Sequence, residues 1–267
     1  MRYCLFQSAS GGAQYGLIES VAGTAQITRQ ILTPPEQTGD LEDLHTRRMD
    51  SIALGEAKLF APVRPSKIVC VGRNYRAHAA ELGNEVPKEP LLFLKPPSSI
   101  NHPGGAIVRP RVSQRTDYEG ELGIVIGRRC SKLADGDDVR PFILGYTAVN
   151  DFTARDLQKN DGQWTRAKGF DTFCPAGPLV SNELDPWAGV TVQTRVNGEL
   201  KQDGNTRDLI FALDFILRYI SHVMTLEPGD LIATGTPEGV GPVVAGDTVE
   251  VMVEGIGSLG NTIADEA

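Results

Sequence analysis

Apolar and polar positions alternate with a period of two through Val190–Val196, and Asn197-Gly198 follows at once. That dipeptide supplies the positive backbone angles of a tight hairpin turn, so Glu199–Gln202 is expected as the returning strand. Two further strand-like pieces, Tyr3–Gln7 and Gln14–Glu19, flank Gly11-Gly12, another hairpin signal. Lys67–Val71, Leu91–Leu94 and Leu122–Ile126 are continuous apolar runs that read as buried strands. Leu231–Thr234 and Thr248–Val253 complete the set. One segment carries the helical period instead: Leu209, Ile210, Leu213, Ile216, Leu217 and Ile220 fall at three-four spacing, which predicts a helix over about Arg207–Val223 with Thr206 as its N-cap. Residues 33–50 are polar and turn-rich, and the prolines of Ala61-Pro-Val-Arg-Pro65 read as a linker. The pattern predicts an α+β, β-dominated mixed fold, with a small N-terminal domain over 1–62 and a larger unit over 63–267.

Composition narrows the partners. Of 267 residues, 40% are hydrophobic and 22% charged, as in an ordinary globular protein. A net charge of −8 argues against nucleic acid or an anionic membrane as partner, since either favours a basic face. No apolar run approaches the roughly 20 residues of a membrane span, and the first residues lack a signal-peptide core. Cys4, Cys70, Cys130 and Cys174 lie far apart without a Cys-x-x-Cys pair, so neither zinc nor a disulfide framework is supported. A cytoplasmic protein is expected.

Candidate chemistry begins at Asp117-Tyr-Glu-Gly-Glu-Leu. On one strand Asp117, Glu119 and Glu121 would share a face, and carboxylates so close repel unless a proton or cation intervenes. A hard divalent ion such as Mg²⁺ or Mn²⁺ suits such oxygens; a solvated acidic strand edge is the alternative. Asp151 ends another apolar run and offers a third carboxylate or, equally, an N-cap. His78 and Glu81, three apart in a segment with Asn74 as a possible cap and Gly83 as a terminator, would meet on one face of a short helix. A carboxylate that orients an imidazole makes a general base, although a surface pair has the same spacing. Residues 73–90 are expected to form a lid that orders over substrate. Lys168, between aromatics and a glycine, is either a desolvated cation aimed at a developing negative charge or a solvated loop lysine. Thr234-Gly-Thr-Pro-Glu-Gly lacks the ending of a phosphate loop; its amides and the Thr234 and Thr236 hydroxyls could receive a carboxylate, or form a plain turn.

Several motifs occur together and in order: Gly72-Arg-Asn-Tyr-x-x-His-x-x-Glu, Leu92-Phe-Leu-Lys-Pro96, Glu119-x-Glu121-Leu, Asn150-Asp-x-Thr-Ala-Arg-Asp-Leu-Gln158, Trp164-x-x-x-Lys168, Val196-Asn-Gly-Glu199 and Thr234-Gly-Thr-Pro-x-Gly-Val-Gly-Pro242. Over residues 65–263 the chain resembles the fumarylacetoacetate hydrolase superfamily in its shorter branch. The resemblance implies a mixed β-sandwich or roll, a homodimer, and Mg²⁺ or Mn²⁺ in the site. It implies Glu119, Glu121 and Asp151 as metal ligands, His78 and Glu81 as the water-activating dyad, Lys168 as the site lysine, and Arg73, Asn74, Gln158 and Thr234 as substrate-lining positions. The longer true fumarylacetoacetate hydrolases use a fourth carboxylate, and Asp117 is not at a matching motif position. The expected activity is divalent-metal-dependent C–C cleavage of a 2-oxo acid through a metal-stabilised enolate. An acylpyruvate-type hydrolase, with oxaloacetate decarboxylation as a second activity, comes first. An isomerase or decarboxylase of 2-hydroxyhepta-2,4-diene-1,7-dioate type is the alternative, and a non-catalytic scaffold the remote one.

Overall fold

The computed structural model describes residues 1–81, 83 and 85–267. Its largest sheet runs, edge to edge, through Thr46–Ala53, Thr24–Ile31, Ala13–Val21, Arg2–Gln7, Cys174–Ser181, Ile143–Asn150, Gly120–Ile126, Leu231–Ala233, Ile68–Gly72 and Leu91–Lys95. A five-stranded sheet stacks on it, in the order Glu199–Asn205, Thr191–Val196, Thr248–Val253, Gly257–Asp265 and Ala106–Arg109. Thr153–Ala154, Thr116–Tyr118 and Gly241–Val243 form a small third sheet beside the site. The β-dominated class expected from the apolar pattern is the observed one, and no described helix is long and apolar enough to cross a membrane.

The central strands are buried on both faces, which is why they read as unbroken apolar runs. Leu122, Ile124 and Ile126 pack with Val192, Val251 and Val253 of the second sheet and with Leu213, Ile216, Leu217 and Ile220 of the one long helix. On the opposite face Val125 packs with Cys70, Val149, Cys174 and Ala233. Gly120 permits the close approach of the second sheet: a Cβ there would lie 2.1 Å from Thr194 Oγ1. All four cysteines are buried free thiols.

Several elements differ from the expectation. The helix spans Leu213–Val223 with Ala212 at its N-cap, so Thr206 caps nothing in it. Leu209 and Ile210 have the helical spacing but lie outside the helix, because Ile210 N–H donates to Asn74 O at 2.8 Å and Leu209 bridges Tyr75. Leu91–Lys95 is an edge strand rather than a buried one, and Leu94 is 47% exposed. Thr24–Ile31 and Thr46–Ala53 are strands that the polar pattern had hidden. The N-terminal strands continue the large sheet, through Arg2 opposite Ser181 and Tyr3 opposite Val180.

Candidate active site

Two neighbouring strands carry the floor of the site. In the register of Gly120–Ile126 against Ile143–Asn150, Gly120 lies opposite Asn150, so Glu119, Glu121 and Asp151 arrive at the same end. Asp151 N–H donates to Glu119 O at 2.8 Å and Glu119 N–H to Asn150 Oδ1 at 3.0 Å, fixing this junction. One oxygen from each of the three carboxylates lies within 4.8 Å of the others, and all three residues are buried. Asp151 is followed by the short strand Thr153–Ala154 and therefore caps no helix.

Cations surround this cluster unevenly. Lys168 Nζ bridges Glu119 Oε2 at 2.8 Å and Asp151 Oδ2 at 2.6 Å. Lys95 Nζ holds the other Asp151 oxygen at 2.7 Å and the Phe152 carbonyl at 3.1 Å. Arg155 donates to Glu119, to Asp117 Oδ2 at 2.8 Å and to Gln158 Oε1 at 2.6 Å. Glu121 has no cationic partner among the described residues and accepts the Gly235 N–H at 2.7 Å. The two glutamates accordingly diverge. Burial works to raise the Glu119 carboxyl, but the Lys168 and Arg155 charges overcome it and hold the group well below the usual range. Burial, reinforced by the Asp151 and Glu119 charges, pushes Glu121 well above that range. Burial works against the Lys168 ammonium, yet Asp151 and Glu119 raise its pKa above that of an ordinary lysine.

Asp117 does not join the cluster, contrary to the single-face reading. The strand breaks at Glu119, so Thr116–Tyr118 belongs to the small sheet and Gly120–Ile126 to the large one. The buried Asp117 carboxylate instead receives Arg115 at 2.9 and 3.1 Å, together with Arg155.

The roof is the six-residue helix Arg76–Glu81. His78 Nδ1 lies 3.4 Å from Glu81 Oε2, and Glu81 is clamped by the Gly239 N–H at 3.1 and 3.3 Å. Burial, the largest influence, lowers the His78 pKa overall, while the Glu119 charge and the hydrogen-bonded Glu81 pull it up. A neutral imidazole is the form that can accept a proton. Asn74 does not cap this helix. Its side chain donates to Thr234 O at 2.8 Å and Phe211 O at 3.2 Å, and accepts Phe211 N–H at 2.8 Å. Leu82 and Asn84 of the expected lid lie outside the described residues.

Floor and roof enclose a cavity of about 570 Å³ lined by His78, Glu81, Glu119, Glu121, Asp151, Lys168, Arg73 and Gln158, among others. Asn74 and Thr234 are fully buried behind its wall; the Thr234 hydroxyl donates to Leu122 O at 2.9 Å. The Thr236 hydroxyl lines the cavity but donates to Gly120 O at 2.9 Å, so the glycine-rich turn braces the glutamate strand. Residue reading alone had given no role to Lys95, Arg155, Arg115, Phe93 or Trp164. For Lys95 a signal was present: a lysine closing the apolar run Leu91-Leu-Phe-Leu-Lys95 needs a buried partner if it faces inward. Three converging buried carboxylates, one without a cation, form an all-oxygen donor set that fits Mg²⁺ or Mn²⁺.

Stacked sheets with a carboxylate floor under a histidine roof are the architecture of one enzyme superfamily. The family model for the fumarylacetoacetate (FAA) hydrolase C-terminal domain matches residues 67–264, and the chain belongs to that family. The mitochondrial oxaloacetate decarboxylase of Dictyostelium discoideum is 45% identical over 71% of this chain and 89% of its own length. The crystal structure of 5-carboxymethyl-2-hydroxymuconate delta-isomerase from Mycobacterium smegmatis superposes with a TM-score of 0.88 at 41% identity, covering 100% of both chains. That of fumarylpyruvate hydrolase from Pseudomonas aeruginosa, in complex with Mn²⁺ and pyruvate, gives 0.70 at 32% identity over 78% of this chain and 92% of that one.

Proposed function

We propose that the protein is a divalent-cation-dependent enzyme that cleaves the C3–C4 bond of an acylpyruvate-type 2-oxo acid by hydrolysis. The observation that carries this reading is that the His78–Glu81 pair and the Glu119/Glu121/Asp151 cluster line one cavity. Glu119, Glu121 and Asp151 would hold the cation, which supplies Lewis-acid stabilisation of negative charge on a chelating 2-oxo acid. His78, neutral and buried, takes a proton from water, and Glu81 orients the imidazole and stabilises the cation formed. The water oxygen bonds to C4; the C3–C4 bond breaks with its electron pair leaving toward C3; proton delivery to C3 yields pyruvate and a carboxylic acid. Lys168 and Arg155 offset the charge that accumulates above the cluster. Mg²⁺ and Mn²⁺ serve this donor set alike. The reading includes a homodimer and closure of residues 73–90 over substrate.

A second reading is favoured by the names of the relatives. Decarboxylation of oxaloacetate, or isomerisation of a dienol dioate, uses the same chelated head without an attacking water. Turnover of acetylpyruvate and oxaloacetate with Mg²⁺, in wild type and His78→Ala, separates the two. We expect acetylpyruvate cleavage to fall about 10²–10⁴-fold in the variant, as for loss of a general base, while oxaloacetate decarboxylation survives. A wild type that turns over oxaloacetate but not acetylpyruvate would replace the first reading with the second.

A further inference from the structure

The helix Arg76–Glu81 is too short to fix its own side chains, so the placement of Glu81 against His78 depends on a contact from outside it. That contact is Gly239. Its N–H donates to both Glu81 oxygens, at 3.1 and 3.3 Å, while Glu81 Oε2 lies 3.4 Å from His78 Nδ1.

Gly239 is itself gripped by its surroundings. Its carbonyl accepts the Tyr118 hydroxyl at 2.7 Å. Its φ is +95°, and a Cβ there would lie 1.9 Å from the Lys201 carbonyl oxygen, so only glycine lets the chain lie this close to the strand Glu199–Asn205. The residues before it are tied down by the buried Gln202. That side chain donates to Thr236 Oγ1 and Pro237 O, both at 2.8 Å, and accepts the Gly120 N–H at 3.0 Å.

The turn therefore joins floor to roof. At one end the Gly235 N–H holds the floor glutamate Glu121 at 2.7 Å; four residues on, the Gly239 N–H holds the roof glutamate Glu81. Tyr118 is bonded to the roof end. It is 4% exposed, directly precedes Glu119, and lies opposite Gly241 in the small sheet, so its ring is seated on the same backbone that carries the floor. Tyr118 does not line the cavity and does not reach substrate. Donors and acceptors of one residue, Gly239, are thus fixed between a floor-anchored phenol and the roof carboxylate.

We propose that Tyr118 is a positioning residue for the His78–Glu81 pair: its hydroxyl fixes Gly239, Gly239 fixes Glu81, and the imidazole is held at a set height over the carboxylate floor. The inference rests on the water-activating reading of that pair and adds the side chain that aligns it. A misplacement of about 1 Å at a reacting group costs on the order of 100-fold in rate, so a looser Gly239 is felt in turnover.

Tyr118→Phe keeps the ring and removes only the hydroxyl. With acetylpyruvate and Mg²⁺, kcat is expected to fall about tenfold, no further than in Glu81→Ala, with KM changed by less than about twofold. In a Glu81→Ala background the same substitution should have no further effect, because the chain of contacts is already cut. Calorimetric affinity of the Mn²⁺-loaded protein for oxalate, which reports on the floor, should be equal in wild type and Tyr118→Phe. Hydrogen exchange of the metal-free protein reads the roof without turnover: the Ala79 and Gly239 amides should exchange faster in Tyr118→Phe than in wild type. Full activity in Tyr118→Phe, an equal fall in the Glu81→Ala background, or a parallel loss of oxalate affinity overturns the assignment, the last by placing the effect at Glu119. A wild type that does not hydrolyse acetylpyruvate overturns the hydrolase reading instead. The exchange rates then decide whether Tyr118 holds the roof, and unchanged rates overturn that as well.

Discussion

At the floor of the cavity Lys95, Lys168 and Arg155 reach Asp151, Glu119 and Asp117 through bonds of 2.6 to 2.8 Å between almost inaccessible groups. At the roof His78 meets Glu81 at 3.4 Å, and the Glu81 side chain is 34% exposed. The floor is seated in the core of two stacked sheets, whereas the roof is a helix of six residues, too short to be stable alone. The floor is thus preorganised for charge, and no member can move without stranding another buried ion. The roof is held by a few exposed contacts and can shift at small cost. A site that must keep a cation fixed and still admit substrate needs both behaviours, and here they fall on different elements.

Changes that unbalance the floor should be felt first in stability. Lys95→Met leaves Asp151 Oδ1 and the Phe152 carbonyl without their buried donor, and breaking such a pair costs about 3–5 kcal/mol. Chemical denaturation measures this; a loss no larger than that of an exposed lysine variant would contradict the distinction drawn between floor and roof.

A smaller effect should appear as a pH dependence of the metal-free protein in chelator. Glu121 is raised in the folded state, so its favourable contribution is complete below the unfolded glutamate pKa of about 4.3 and is lost as pH rises toward its higher folded value. Glu119, held low, has the opposite sign and loses its contribution as pH falls. Melting curves of Glu121→Gln should therefore lose the decline of stability that wild type shows above about pH 4.3. Equal slopes in the two proteins would refute the divergence of the glutamates.

The smallest stability change is expected at the roof. Glu81→Gln should alter folding by no more than about 1 kcal/mol, because it touches a single hydrogen bond between a neutral imidazole and a partly exposed carboxylate. Turnover should nevertheless fall by about 10–100-fold, because the imidazole loses its orienting partner. A melting point lowered as far as that of Lys95→Met would show the roof to be as structural as the floor.

The sequence made some of this visible and concealed the rest for physical reasons. Glu121 on its strand and the Asn197-Gly198 hairpin were legible because strand alternation and turn chemistry act over two to four residues, whereas Glu119 sits at the strand break. The position of Glu119 and Glu121 relative to Asp151 needed the family's motif pattern, since nothing local joins strands that far apart in the chain. Lys95 went unassigned because its partner, Asp151, is 56 residues away, and periodicity carries no trace of such a pair. The helix was begun too early for the same kind of reason. Leu209 and Ile210 fit the helical period, but Asn74 captures the Phe211 backbone across 137 residues and keeps that stretch out of the helix. Asp117 was misplaced because alternation was carried through a strand break that no local signal announces.

One edge of the strand Arg2–Gln7 pairs with its neighbour Ala13–Val21, but the other is completed by Cys174–Ser181, with only Leu59–Phe60 covering its far half. During synthesis the N-terminal meander can therefore assemble early from local contacts, yet its seat, Cys174–Ser181, follows about 170 residues later in the chain. Until then Tyr3, Cys4, Leu5 and Phe6, all buried in the finished protein, belong to a strand with an open edge, the kind of surface that pairs with other chains. A ribosome stalled between the two strands would leave the nascent chain sticky, and a chaperone that shields residues 2–7 would have its greatest value in that interval.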